Sequence, residues 1–310
     1  MLGKRSLAGS SIVITGAGTG LGAATSLRLA DEGCRLLLAG RNAQNLAAVA
    51  RQCRVRGGEA VVAPVDISST DAQAELIAKA VACFGRIDVW ISNAAVAAYG
   101  LLTLIPMSDL RRVLSVNLLA PLADVRAVVP AMQQSGGGVI VLVGSVLAET
   151  TIPFQGAYTI AKHALLGAAG TVRQELRASG CRSVSISVAL PSFINTPLFE
   201  HAGNRTDRQP RPMWPTTSVA RASRQLVKLV RTRRPRAYLG WGSSTIGWGS
   251  RLAPGLTERL LGILGRHQFT PGARVTPGSG NLYEPTPNPS QIGGGWIPDD
   301  TSEEIGHGRR

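Results

Sequence analysis

The feature that most restricts the fold is an alternation. Short aliphatic, β-branched runs recur between longer stretches with helical periodicity. SIVIT (11–15), RLLLAG (35–40), EAVVAPVD (59–66), IDVWISNAA (87–95), GVIVLVGS (138–145) and SVSISVALP (183–191) are six such runs, and RAYLGW (236–241) reads as a last one. Runs that are apolar throughout mark strands covered on both faces, as in a parallel sheet. The helical stretches supply right-handed crossovers, so the pattern predicts an α/β fold with a doubly wound parallel sheet and helices on both faces.

Composition agrees with a layered α/β chain. The 310 residues are 44% hydrophobic and 17% charged, with 36 glycines and only 5% aromatics. Net charge is +14, and much of the positive charge lies between Arg205 and Arg236. No zinc-finger spacing, basic zipper or interleaved aromatic pattern accompanies it, so a nucleic-acid partner is not expected. A solvated basic helix face is the first reading, with peripheral contact to an anionic membrane surface as the alternative. Cys34, Cys53, Cys83 and Cys181 form no CxxC or Cys/His cluster and read as reduced thiols, and no metal site is expected. The N-terminal stretch has no long apolar run before the first glycine loop, and no window reaches the roughly 18 uninterrupted apolar residues of a spanning helix. A cytoplasmic protein is the expectation, with association at a membrane surface as the alternative.

TGAGTGLG, Thr15 to Gly22, lies between the first strand and the first helix. Glycines there let the backbone turn tightly, and the free N–H groups of the helix face a pyrophosphate. This placement points to a Rossmann-type dinucleotide site. The second strand ends in Gly40–Arg41, where an acidic residue would bond the adenosine ribose of NAD(H). A guanidinium suits a phosphate on that ribose, so NADP(H) is favoured and NAD(H) remains admissible. Farther along, Tyr158 and Lys162 stand four apart in QGAYTIAKHALLGAAG, on one face of a helix. Alone, that pair could be an exposed polar stripe.

In order and spacing, these segments resemble the short-chain dehydrogenase/reductase family over about Ser10 to Trp241. The family's TGxxxGxG matches Thr15, Gly16, Gly20 and Gly22, and the same loop contributes Gly18, Thr19 and Leu21. Asp66, followed by Ile67, falls where the family has an adenine-contacting aspartate. SNAA (92–95), with Asn93 and Ala94, stands in the place of NNAG. Asn117, Ser145, Tyr158 and Lys162 match the active-site asparagine, serine and YxxxK. PSFINT (191–196) matches the proline-led loop, contributing Pro191, Ile194 and Thr196. Ser92, Ala95 and Ser192 depart from the usual residues.

The resemblance implies an oxidoreductase interconverting a ketone or aldehyde and an alcohol. Tyr158 would be the general acid/base, Lys162 would favour its phenolate and bond the nicotinamide ribose, Ser145 would orient the substrate oxygen, and Asn117 would hold a water leading to Lys162. A lysine one turn away should lower the phenol's pKa. A non-catalytic dinucleotide sensor or scaffold is the alternative. Val96, Tyr99, Leu147, Ile152, Phe154, Phe193 and Trp214 are the expected pocket residues, favouring a small hydrophobic substrate. Residues 1–245 would form the catalytic domain and 246–310 an extension. In that extension Leu256, Leu260, Leu261, Ile263 and Leu264 form the apolar side of a short helix, expected to dock on its own domain or another subunit. After Gln268 the Pro/Gly-rich tail is expected to be extended or disordered. The family's pairing helices suggest a homodimer or homotetramer.

Overall fold

The computed structural model describes residues 6–286 and 291–297. Its centre is a seven-stranded, all-parallel sheet. The strands are β1 (Ser11–Thr15), β2 (Arg35–Gly40), β3 (Glu59–Pro64), β4 (Val89–Ser92), β5 (Gly138–Val143), β6 (Val184–Pro191) and β7 (Arg236–Leu239). Their spatial order is 7-6-5-4-1-2-3. The order reverses between β1 and β4, which pair directly, and a ligand crevice forms beyond the C-terminal ends of such strands. The predicted α/β architecture is thus the observed one, with all seven apolar runs placed in the sheet.

Alternate residues of each strand feed two cores. Ile12, Ile14, Leu36 and Leu38 face α1 (Gly20–Ala30), α2 (Ala43–Val55) and α8 (Val219–Thr232). Val13, Leu37, Trp90 and Ile140 face α3 (Ala72–Phe84), α5 (Ala120–Gln134) and α6 (Gly156–Ala178). Both faces of the central strands are therefore dry, which is why those strands read as nearly unbroken apolar runs. The arginine-rich helix is α8. It buries Leu226, Val227, Leu229 and Val230, while Arg224 and Lys228 are exposed and Arg231 pairs with Glu32.

α4 (Met107–Leu114), a π-helical turn at Ser115–Leu119 and α5 run on as one helix. By length and composition, Met107–Gln134 is the single described stretch that could cross a membrane. Its Val113, Val125, Val128 and Met132 are buried against the sheet, as expected of a core helix. It also carries the buried carboxylate of Asp124, which accepts from Ser92 Oγ (2.6 Å) and Gln73 Nε2 (3.2 Å). Ser92 is one of the departures from the family pattern, and its hydroxyl serves this inward-facing acid. Burial raises the Asp124 pKa to about 6, although the bonds from Ser92 and Gln73 oppose the rise.

The chain beyond β7 differs from its sequence-based expectation. A four-residue helix, α7 (Leu198–His201), precedes α8, and two helices follow β7: α9 (Ser243–Leu252) and α10 (Pro254–Leu264). α10 docks through Leu261, while Leu256, Leu260, Ile263 and Leu264 stay about half exposed. Over its described residues the segment after Gln268 is not without structure, and 287–290 and 298–310 lie outside the described residues. Phe269–Arg274 forms a strand antiparallel to Arg208–Pro210. Phe269 meets Tyr99 and Phe154 edge to face, with centroids 5.9 and 5.2 Å apart. A buried aromatic anchor overrides the low propensity of a Pro/Gly-rich segment.

Candidate active site

Ser145 follows β5 in extended conformation and caps the turn Val146–Ala148, its Oγ accepting from Leu147 N at 3.1 Å. Tyr158 and Lys162 lie in the first two turns of α6, 9% and 2% exposed. An exposed polar stripe is thereby ruled out. Lys162 Nζ lies 5.3 Å from the Tyr158 ring centroid and donates to Val143 O at 2.7 Å. The three side chains converge on one cleft of about 200 Å³ at the C-terminal edge of the sheet.

Electrostatics in the free protein correct one expectation. Burial pushes the Tyr158 phenol up to about 12, with a hydrogen bond to Ser145 acting in the opposite sense. Burial also brings Lys162 down to about 7. With its pKa near 7 the lysine is only partly charged at neutrality, so the cation expected to lower the phenol's pKa is weakened here. The desolvation that excludes water from both groups outweighs their attraction.

Asn117 sits in the π-helical turn and is fully buried. Its Nδ2 donates to Val96 O (2.8 Å), and its Oδ1 accepts from Val96 N (2.9 Å). The side chain therefore clamps the loop after β4, a structural task the sequence did not reveal.

The glycine loop owes its composition to packing within the chain. Gly16 has φ +66°, and a Cβ there would lie 2.8 Å from Ala94 Cα. A Cβ on Gly22 would strike the Gly16 carbonyl. Asn93 ties the same loop down, its Nδ2 donating to Thr15 O (3.0 Å) and Gly16 O (3.1 Å), while Thr15 Oγ1 accepts from Asn93 N and Ala94 N. Gly18, Thr19, Arg41, Asp66, Ile67 and Ala94 line the end of the crevice beside β2. Gly20, Leu21, Asn93, Pro191, Ile194 and Thr196 line the end that holds Tyr158. Gly22 and Asn117 lie behind these walls. Asp66 is already engaged: Oδ1 accepts from Ser68 N and Oγ, and Oδ2 pairs with Arg112 at 2.6 Å. Burial pulls its pKa up, but these partners hold it below the ordinary value. The cradle fits a dinucleotide, because its walls are glycine where the backbone must turn and α1 starts at the crevice.

The cleft around Tyr158, where the pocket residues were expected, is lined by Ala97, Tyr99, Leu147, Phe193, Leu198 and Phe199, with Gln155 and His201 as polar neighbours. Tyr99, Leu147 and Phe193 were expected there. Val96 instead lines the nucleotide end. Ile152 and Phe154 pack in the apolar cluster behind the wall, where Phe154 meets Phe269. Trp214 is 89% exposed, so it is not a pocket residue. Gln155, Leu198, Phe199 and His201 were missed. Gln155 carried a signal only in hindsight: it precedes the Tyr158 helix by one residue, and its Nε2 donates to Tyr99 Oη (2.9 Å) and Gln268 Oε1 (3.0 Å).

A sequence profile described as short chain dehydrogenase matches residues 10–207. The chain belongs to the short-chain dehydrogenase/reductase family and is an NAD(P)-dependent dehydrogenase or reductase. Among curated proteins it is 31% identical over 257 residues to the uncharacterized oxidoreductase YxnA of Bacillus subtilis, covering 81% of this chain and 70% of that one. It is 27% identical over 263 residues to estradiol 17-beta-dehydrogenase 11 of Rattus norvegicus, covering 85% of each chain. It is 31% identical over 194 residues to the 3-oxoacyl-[acyl-carrier-protein] reductase FabG of Thermotoga maritima, covering 63% of this chain and 78% of that one.

Proposed function

We propose that the protein is an NADP(H)-dependent oxidoreductase that interconverts a hydrophobic ketone or aldehyde and the corresponding alcohol. The observation that carries this reading is the convergence of Ser145, Tyr158 and Lys162 on an apolar cleft that continues into the glycine-loop crevice. A bound nicotinamide supplies or accepts the hydride. Tyr158 delivers a proton to the carbonyl oxygen in reduction and removes it from the alcohol in oxidation. Ser145 donates to the same oxygen and holds it beside the phenol. Lys162 keeps the phenol's surroundings polar on its inner side, tethered to Val143. The apolar wall of Ala97, Leu147, Phe193 and Phe199 excludes water and selects an apolar carbonyl compound. Gly40 leaves no carboxylate at the end of β2, and Arg41 supplies a cation there; these residue types support NADP(H) over NAD(H).

The test is a ketone and aldehyde panel assayed by NADPH oxidation, with parallel titrations of NADPH and NADH. Turnover of apolar carbonyl compounds and tighter binding of NADPH are expected. A preference for polar sugars, or equal binding of both dinucleotides, contradicts the respective half of the proposal.

A further inference from the structure

Beyond Arg274 the chain returns along the nucleotide crevice and takes up groups that a dinucleotide needs. Arg41 donates to the carbonyls of Asn281 (2.6 Å) and Tyr283 (2.9 Å). Asn42 Nδ2 donates to Thr286 O at 3.2 Å. At the start of α1, the Gly20 N–H donates to Gln291 O at 2.9 Å. Gly294 lies so close to the loop after β6 that a Cβ there would be 2.5 Å from Thr196 O. The adenosine end, the glycine loop and the Thr196 loop thus each have a tail neighbour.

These contacts are incompatible with a bound dinucleotide for a simple reason. One backbone N–H has one proton, so Gln291 O and a phosphate oxygen cannot both take it in a linear bond. Around Arg41, main-chain carbonyls already present their negative ends to the guanidinium, where a ribose phosphate would have to sit. The tail is held in place from below. Leu282 is fully buried and packs against Gly203, where a Cβ would be 2.6 Å from Leu282 Cδ1. Asn281 N donates to His201 O, and Gly278 and Asn204 exchange two backbone bonds, all at 2.8 Å.

Building on the dinucleotide site proposed above, we infer that residues 276–286 and 291–297 form an autoinhibitory strap whose main-chain oxygens stand in for those of the cofactor. Binding of the dinucleotide requires the strap to leave. The free protein is then largely in a closed state, and the apparent affinity is reduced by the fraction that is open. A phosphate on the adenosine ribose competes for Arg41 as an anion against neutral carbonyls, so NADPH lifts the strap more readily than NADH. The opposite arrangement, a roof that folds onto bound cofactor, predicts effects of opposite sign.

Two measurements on the full chain decide between them. The first is amide hydrogen exchange of the wild type with and without saturating NADPH. Gly278 and Asn281 are expected to lose protection when NADPH binds; unchanged or increased protection overturns the strap. The second is Leu282→Ala, which loosens the anchor without altering a side chain of the crevice. NADPH fluorescence titration should give a Kd lower by about tenfold or more. An unchanged or higher Kd overturns the proposal. If circular dichroism shows the variant misfolded, the wild-type exchange result decides alone. If neither dinucleotide binds wild type or variant, the dinucleotide reading itself falls and takes the strap with it.

Discussion

At the scale of single residues, Tyr158 and Lys162 are tuned in opposite directions by the same cause. Burial leaves a phenol with a pKa near 12 and an ammonium with one near 7. The phenol is not poised for proton transfer at neutral pH in the free protein, so its tuning must come when the site is filled. Removing the phenolic oxygen removes the proton path while leaving the crevice intact. Tyr158→Phe should therefore lower turnover by about a hundredfold or more, with dinucleotide binding by titration unchanged. Lys162 also gives a prediction about stability. Its folded pKa is depressed from 10.5 to about 7. Between those values the unfolded chain binds a proton that the folded chain does not, so Lys162 makes stability rise with pH from about 7 toward 10. The charged form penalises folding below that window. Lys162→Met should flatten the rise in a series of urea titrations at graded pH; an unaltered slope would show that the lysine stays charged when folded.

At the scale of elements, the π-helical turn between α4 and α5 is where the sequence was least informative. SVNLLAP identified Asn117 through resemblance, yet nothing in it announces that the side chain clasps both backbone groups of Val96. Asn117→Ala leaves that buried pair without partners and should cost about 1–3 kcal/mol of stability in chemical denaturation, together with reduced turnover. The sheet was far easier to read, because central strands dry on both faces are apolar at most positions. Their ends were overestimated: IDVWISNAA forms a strand only at Val89–Ser92, since Asn93 turns away to hold the glycine loop. α9 was missed for the reverse reason. SSTIGWGSRL contains two glycines and buries only Ser243 and Gly247, so it has almost no apolar period to recognise. Pocket residues in loops, such as Phe199, depend on how the chain folds back, which local pattern does not encode.

At the scale of the whole molecule, the described residues after Gln268 are part of the packed structure around the site. Phe269 joins the loop carrying Phe154 to Tyr99 on the far side of the substrate end. Phe154 has φ +66°, a left-handed conformation that a phenylalanine seldom adopts, and these contacts help to maintain it. Phe269→Ala should lower stability by about 3–5 kcal/mol and raise KM for apolar substrates, measured by urea unfolding and steady-state kinetics. A change confined to kinetics would mean the segment is only an accessory to the cleft. Composition could not foresee this, because one buried ring among prolines and glycines leaves no periodic trace. The hold on the stretch after Arg274 has a consequence for heredity. Arg41, Asn42 and Gly20 all grip main-chain carbonyls, which every amino acid possesses. Apart from the tightly placed glycines, positions in 276–286 and 291–297 whose side chains are not themselves held, unlike Leu282, Tyr283, Thr286, Ile292 and Trp296, are free to drift in sequence while the main chain keeps its grip. Two descendants of this chain could share the same hold on the crevice while resembling each other there at only a few positions.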